Sequence, residues 1–211
     1  MMDDDAAHWE KAYRDKGRLW GGAARDLPAF PPGSRVLELG CGSGKTLSAL
    51  LDRGAEIVGI DFSACACYLG ASLAAGRANV HVAVADARCL PFAANSFDTV
   101  TALQVIGHMP ARDREQIGGE LAWVLRDRGL LWFTGFSCDD FRAGNGRKVE
   151  PGTFERKTGI RTHYFTEAEV RDLFSGMFEG LIGTRRWTLR VRGTLYPRAE
   201  IVGVFKKIRG S

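Results

Sequence analysis

Glu38, Gly40, Gly42 and Gly44 stand at alternate positions behind the apolar run Val36-Leu37, and a helix-like segment, Lys45 to Leu51, follows them. Glycines in such a turn let the backbone approach a ligand closely and adopt positive φ at little steric cost. The free N–H groups of the helix start favour a negatively charged ligand group. Two well-known glycine patterns fail here. A phosphate loop needs a glycine five residues before Gly44, where Leu39 stands, and a dinucleotide fingerprint would put its third glycine at Lys45. Carboxylates then recur downstream. Asp61 closes the run Glu56 to Ile60, 21 residues after Gly40, and Asp86 closes Val80 to Ala85. A carboxylate at the first of these places suits a vicinal diol, because it accepts hydrogen bonds from both hydroxyls. His108, His163 and Tyr164 are the remaining side chains with acid–base or stacking chemistry near the expected ligand face.

The elements that must position these residues alternate. Strands are expected at Val36–Leu39, Glu56–Asp61, Val80–Asp86, Phe97–Leu103 and Gly129–Thr134, with helices over Lys45–Leu51, Ser63–Ala75 and Asp113–Arg126 between them. Alternation of this kind implies a parallel sheet with helices on both faces. Thr166-Glu167-Ala168-Glu169 is a capping box that opens a helix ending near Gly176. Phe178–Leu189 and Thr194–Lys206 read as a closing antiparallel hairpin with its turn near Arg192-Gly193. The expected fold is therefore α/β: a Rossmann-like, seven-stranded, mostly parallel sheet with a C-terminal antiparallel hairpin, in one domain over 1–211. Residues 3–16 read as an amphipathic helix in which Trp9, Ala12 and Tyr13 share a face. That face serves either to pack on the rim of the sheet or to cover the ligand. The connection 137–165 is long, rich in glycine and charge, and is expected to be a functional loop or disordered.

Composition bounds the rest. A chain of 211 residues can bury a full core, and no run of about 18 apolar residues suggests a membrane span. The acidic start Met1-Met2-Asp3-Asp4-Asp5 lacks a secretory pattern. Five cysteines (41, 65, 67, 89 and 138) without paired zinc spacing point to reduced thiols and a cytoplasmic setting. Charge is uneven: residues 1–141 carry 14 Lys/Arg against 18 Asp/Glu, whereas 142–211 carry 15 against 7. The basic end serves a nucleic acid or, more simply, an anionic small substrate or solvation.

In order, the glycine motif, Asp61, Asp86 and Phe97-Asp98 resemble the class I S-adenosylmethionine-dependent methyltransferases, of the broad type-11/type-25 small-molecule group. Trp9, Tyr13 and Trp20 ahead of the motif resemble the tellurite-resistance and thiopurine style of that family. The resemblance covers residues 35–136 most specifically. It implies S-adenosylmethionine as cofactor, with Gly40, Cys41, Gly42 and Gly44 forming motif I against its methionine portion. Asp61 would take the ribose hydroxyls, Phe62 the adenine face, and Asp86 the adenine amino group with Ala87 beside it. Leu103 and Gln104 would meet the methionine end. His108 is the candidate general base; Trp9, Tyr13, Trp20, His163 and Tyr164 are candidate acceptor contacts, with Arg156 and Arg161 near them. Residues 1–30 and 137–165 would form a lid segment and a substrate-side loop. Asp139 and Asp140 resemble metal-binding acids of catechol-type members, but Leu103 and Gln104 stand where the partner acid would be needed, so no metal is expected. The implied reaction is direct in-line methyl transfer to a small molecule by a monomer or homodimer, with neither nucleic acid nor membrane as partner. The alternatives are RNA or protein methylation through the basic C-terminal region, and a non-catalytic cofactor-binding protein.

Overall fold

Burial falls from the centre of the main sheet to its rim, and the sequence explains why. In the computed structural model, which describes residues 4–19, 27, 29–51 and 53–209, β1 (Arg35–Leu39), β2 (Glu56–Asp61) and β4 (Phe97–Leu103) are buried along nearly their whole length. Both of their faces are apolar, as parallel strands covered on two sides require. β3 (Val80–Val84) is one of the two edge strands and is largely exposed. The remaining strands of this sheet are β5 (Leu125–Phe136) and the hairpin pair β9 (Phe178–Val191) and β10 (Thr194–Lys207). Their order is β3-β2-β1-β4-β5-β10-β9, with β10 antiparallel to both of its neighbours and the other pairings parallel.

Two apolar layers sandwich the sheet. Val36, Ile57 and Val80 face one side, against Leu47 and Leu50 of α2 (Lys45–Leu50) and alongside α3 (Ala64–Ala74). Leu37, Leu39, Val58, Ile60 and Phe133 face the other, against Ile117 and Leu121 of α4 (Ala111–Val124) and Val170 and Phe174 of α5 (Glu167–Phe174). The capping box at Thr166 and Glu169 forms as expected, each residue bonding the other's backbone N–H. Such a cap stabilises a short helix on the order of 1 kcal/mol. α1 (Asp4–Lys16) lies against α3.

Two boundaries differ from expectation. α4 ends at Val124 and β5 begins at once at Leu125, rather than after a helix through Arg126. Arg128 at φ 64 and a register shift between Phe97 and Thr99 absorb the extra residues as a bulge. The second correction concerns 137–165, which is not a structureless loop. It contains a three-stranded antiparallel sheet of β6 (Arg147–Glu150), β7 (Thr153–Glu155) and β8 (Arg161–His163). Strands of three or four residues show too little alternation to be read from sequence.

The hairpin is long. β9 and β10 pair from Phe178↔Lys207 to Val191↔Thr194, but β5 reaches only Glu200 to Lys206 of β10. The distal part stands beyond the sheet as a two-stranded arm. Arg192 (φ 48) and Gly193 (φ 84) close it as a two-residue turn with both φ positive, which matches the strand twist.

Candidate functional site

The turn after β1 is shaped by its neighbours. Gly40 (φ 63) and Gly42 (φ 52) both hold left-handed backbone. A Cβ on Gly40 would run into Val105, and one on Gly42 into the Tyr13 hydroxyl. Cys41 donates its N–H to the Ile60 carbonyl at 2.9 Å, tying the turn to the end of β2. Asp61 completes the tie: its Oδ2 accepts from Gly42 N at 3.0 Å and its Oδ1 from Ser63 N at 2.9 Å. Burial pushes the Asp61 carboxyl upward, and these two N–H groups oppose it. Gly44, expected with the others, has a different task. It opens α2 in left-handed geometry, and its Cα faces Leu73 and Gly70 instead of the cavity.

A cavity of about 890 Å³ lies beyond the carboxyl ends of β1, β2 and β4, where open α/β sheets bind ligands. Gly40, Cys41, Gly42, Asp61, Phe62, Asp86, Ala87, Leu103 and Gln104 all line it, as do Trp9, Tyr13 and His108. Asp86 holds Arg88 in a forked ion pair, 2.6 Å at the closest, and this outweighs burial to keep its carboxyl low.

Two buried acceptors in the wall have no partner among the described residues: Oε2 of Glu38 and Oε1 of Gln104. Burial raises the Glu38 carboxyl to about 8 against a hydrogen bond from Thr46, with the Asp61 charge adding to the rise. Gln104 is fixed by its Nε2, which donates to Glu200 at 2.7 Å, and by left-handed backbone at φ 58. Buried acceptors without donors are costly. An ammonium group supplies the donors that such oxygens lack, and S-adenosylmethionine carries one, so this pair of acceptors fits that cofactor.

The opposite wall is built by parts distant in sequence. Glu10 of α1 accepts from Ser63 Oγ at 2.7 Å and Cys65 N at 3.2 Å, clamping α1 onto the start of α3. Its bonds from Cys65 and Ser63 hold the Glu10 carboxyl at about 2. This places Trp9 edge-on to His108, with ring centroids 4.8 Å apart. His108 Nδ1 lies 2.6 Å from the Arg161 carbonyl, an acceptor only, so Nδ1 carries the proton and Nε2 keeps a lone pair. Burial pushes the His108 imidazolium below the ordinary value, against the pull of that carbonyl.

Several expected residues sit elsewhere. His163 is buried, bonded to Thr153 Oγ1 at 2.8 Å, and held near 4 chiefly by burial; it lies outside the cavity lining. Tyr164 is also buried, between Phe136 and Phe154. His163 ends β8 and Tyr164 follows it, and both are taken up by packing, a demand that motif spacing does not reveal. Trp20 lies outside the described residues. Arg161 pairs with Asp5 and Glu155, and neither it nor Arg156 lines the cavity. The lining arginines are instead Arg88, Arg142, Arg185, Arg186 and Arg198. Asp139 and Asp140 serve them: Asp140 bonds Arg142 and Arg198 at 2.7 Å each, and Asp139 bonds Arg186. Sequence reasoning passed over Arg185, Trp187 and Leu189, although their alternate spacing in a strand already puts them on one face.

Residues 36–129 match a family model described as a methyltransferase domain. The chain carries a class I S-adenosylmethionine-dependent methyltransferase domain. It is 30% identical over 200 residues to the tRNA N(3)-methylcytidine methyltransferase Mettl2 of Drosophila melanogaster, covering 87% of this chain and 61% of that protein. Over 181 residues it is 34% identical to the 2-methyl-6-phytyl-1,4-hydroquinone methyltransferase of Synechocystis, covering 81% and 53%. The chain thus spans little more than half the length of these curated relatives. Among solved structures, a SAM-dependent methyltransferase of Methanosarcina mazei superposes with a TM-score of 0.72 at 24% identity, over 85% of this chain and 95% of that one. At that identity the likeness concerns the fold. Among the described residues, no helix is long and apolar enough to cross a membrane.

Proposed function

We propose that this methyltransferase moves the methyl group of S-adenosylmethionine to a small-molecule acceptor by direct in-line displacement. One observation carries the reading. A single cavity joins the motif I turn and two unpartnered buried acceptors to a histidine with a free Nε2. In this reading Glu38, Gln104 and the backbone of Gly40, Cys41 and Gly42 hold the amino-acid end of the cofactor. Asp61 takes the ribose, Phe62 the adenine face, and Asp86 with Ala87 the adenine edge. The bound cofactor supplies an electrophilic methyl group on sulfur. The chain's own work is alignment and exclusion of water. α1 and the 137–165 segment cover the cavity, Trp9 braces His108, and His108 Nε2 accepts a proton from the acceptor where it carries one. The whole chain acts as one domain, and its free cysteines favour the cytoplasm.

A second reading has support in the tRNA-modifying relative and the basic C-terminal region: RNA as acceptor. Calorimetry with S-adenosylhomocysteine should give micromolar binding, with no competition from ATP–magnesium or NAD. A panel of phenols, thiols, amines, metalloid anions and unmodified tRNA, read by S-adenosylhomocysteine release, then separates the acceptors. Turnover of tRNA alone would overturn the small-molecule reading; failure to bind S-adenosylhomocysteine would overturn both.

A further inference from the structure

The distal arm of the β9–β10 hairpin leaves its side chains unusually bare. Every residue from Arg185 to Leu195 is exposed. Trp187 is 38% exposed, Leu189 38%, Val191 44% and Leu195 63%. Elsewhere the exposed large apolar residues are mostly scattered singly, as at Tyr68 and Trp123, which is ordinary for a protein surface. Here Trp187, Leu189 and Val191 share one face of β9, and Leu195, paired with Arg190, stands on the other, all within about 17 Å of strand beyond the Ala199↔Arg186 pair. A concentrated apolar patch of this kind marks an interaction site.

Charge narrows the partner. Arg185, Arg186 and Arg198 are spent on Glu200, Asp139 and Asp140. Arg190 and Arg192, interleaved with Leu189 and Val191, form no ion pair among the described residues. The tip therefore offers aliphatic side chains flanked by two free cations, the pattern that seats on an anionic lipid surface. The tip itself, from Arg190 to Leu195, holds no aromatic residue that could stack on nucleic-acid bases. Tyr196 packs on Phe141, 4.8 Å between centroids, and Trp187 lies beneath Arg198 at 5.2 Å. What remains at the tip is aliphatic, which suits lipid better than bases.

The arm is also continuous with the cavity. On β9, Arg185, Trp187 and Leu189 point to one face and all three line the cavity; Val191 is next in that row. An apolar row thus runs from the cavity mouth to the tip. We infer that the hairpin tip docks on an anionic membrane surface, and that the acceptor is a lipophilic molecule passed along Trp187 and Leu189 into the cavity. The absence of a spanning helix does not bear on such peripheral docking. The acceptor half of this inference rests on the methyltransferase reading; the docking half does not.

Flotation of the full chain with vesicles tests it. The chain should float with vesicles of phosphatidylcholine plus phosphatidylglycerol, at least tenfold better than with phosphatidylcholine alone, and added salt should weaken the binding. Each basic residue near such a surface is worth roughly fivefold in partition. Arg190→Gln with Arg192→Gln should therefore cut binding by about tenfold or more, and Val191→Asp with Leu195→Asp should abolish it. Binding of S-adenosylhomocysteine by calorimetry should stay unchanged in both pairs. Overturning results are no flotation on either vesicle, or flotation indifferent to both variants. So are tip-dependent retention of tRNA without vesicle binding, which would make the arm an RNA surface, and a dimer in sedimentation that the tip variants split. Should the wild-type chain float yet bind no S-adenosylhomocysteine, the docking stands and the methyltransferase reading falls.

Discussion

The two walls of the cavity are held by different physics. The cofactor wall is the ends of four neighbouring strands, fixed by the sheet's ladder and by backbone N–H groups closing on Asp61. The opposite wall, the proposed acceptor side, comes from α1, the turn after β4 that carries His108, the 137–165 segment and the hairpin, joined by side-chain clamps such as Glu10 to Ser63 and Asp140 to Arg142 and Arg198. A ladder is redundant, whereas a clamp is single. Changes on the first wall should therefore register as cofactor affinity, and changes on the second as turnover.

The largest effect expected is at His108. His108→Gln should lower kcat by about 10²–10⁴, the range typical of a lost general base, while S-adenosylhomocysteine binds as before in calorimetry. Loss of affinity with intact turnover would reverse the division between the walls. Asp61→Ala comes next and should do the opposite. Removing a charged acceptor from both the ligand and Gly42 costs on the order of 1.5–3 kcal/mol. That is roughly ten- to 150-fold in Kd, and an unchanged Kd would sever Asp61 from the cofactor.

The same contrast governs what could be read from the chain. Glu38, Gly40, Gly42, Asp61 and Asp86 all line the cavity, and their positions are legible because strand ends recur at fixed places in an open α/β sheet. The alternation of strands and helices is legible for the same reason. The acceptor wall depends on which short strands fold back, and those carry little pattern. His163 looked like a ligand contact by its expected place on the substrate face, but Thr153 of β7 claims its Nδ1 within the small sheet. Nothing in the sequence singles out Glu10. Its role appears only when α1 meets the start of α3, a contact 53 residues apart in sequence.

A smaller effect sharpens the cofactor wall. Folded Glu38 holds its proton up to about 8, whereas the unfolded chain gives it up near 4.5. The folded state thus binds the extra proton across that interval, and stability should fall as pH rises through it, by at most about 1.4 kcal/mol per pH unit. Below 6.5 the lowered histidines, His108 and His163, oppose this slope, because they destabilise the fold as pH falls. From 6.5 to 8 the histidines no longer oppose Glu38, and the Glu38→Gln variant isolates its share. An ammonium group beside it favours the carboxylate, so cofactor affinity should rise over the same window by up to about tenfold per unit. Calorimetry in buffers of different ionisation heat should show a proton released on binding. Glu38→Gln should flatten both slopes, and a flat wild-type profile would remove Glu38 from the ammonium site.

The least effect is expected at Glu10, because its clamp can be partly replaced. Glu10→Gln keeps an oxygen that can accept from Ser63 Oγ, so α1 should still dock. What disappears is the negative charge beside the first turn of α3, where free N–H groups favour an anion, worth about 0.3–1 kcal/mol. A looser α1 moves Trp9 away from His108, so kcat/KM should fall about two- to fivefold, with amide exchange rising over 4–16. Glu10→Ala, which removes the acceptor as well, should do more on both counts. The wild-type carboxyl sits near 2, below the ordinary value of 4.5. Its contribution is then complete above 4.5 and is lost only as pH falls towards 2. Exchange protection of α1 in the wild type should accordingly persist at pH 4. Should Glu10→Ala leave both exchange and turnover untouched, α1 is held by packing alone, and the acceptor wall is as redundant as the cofactor wall.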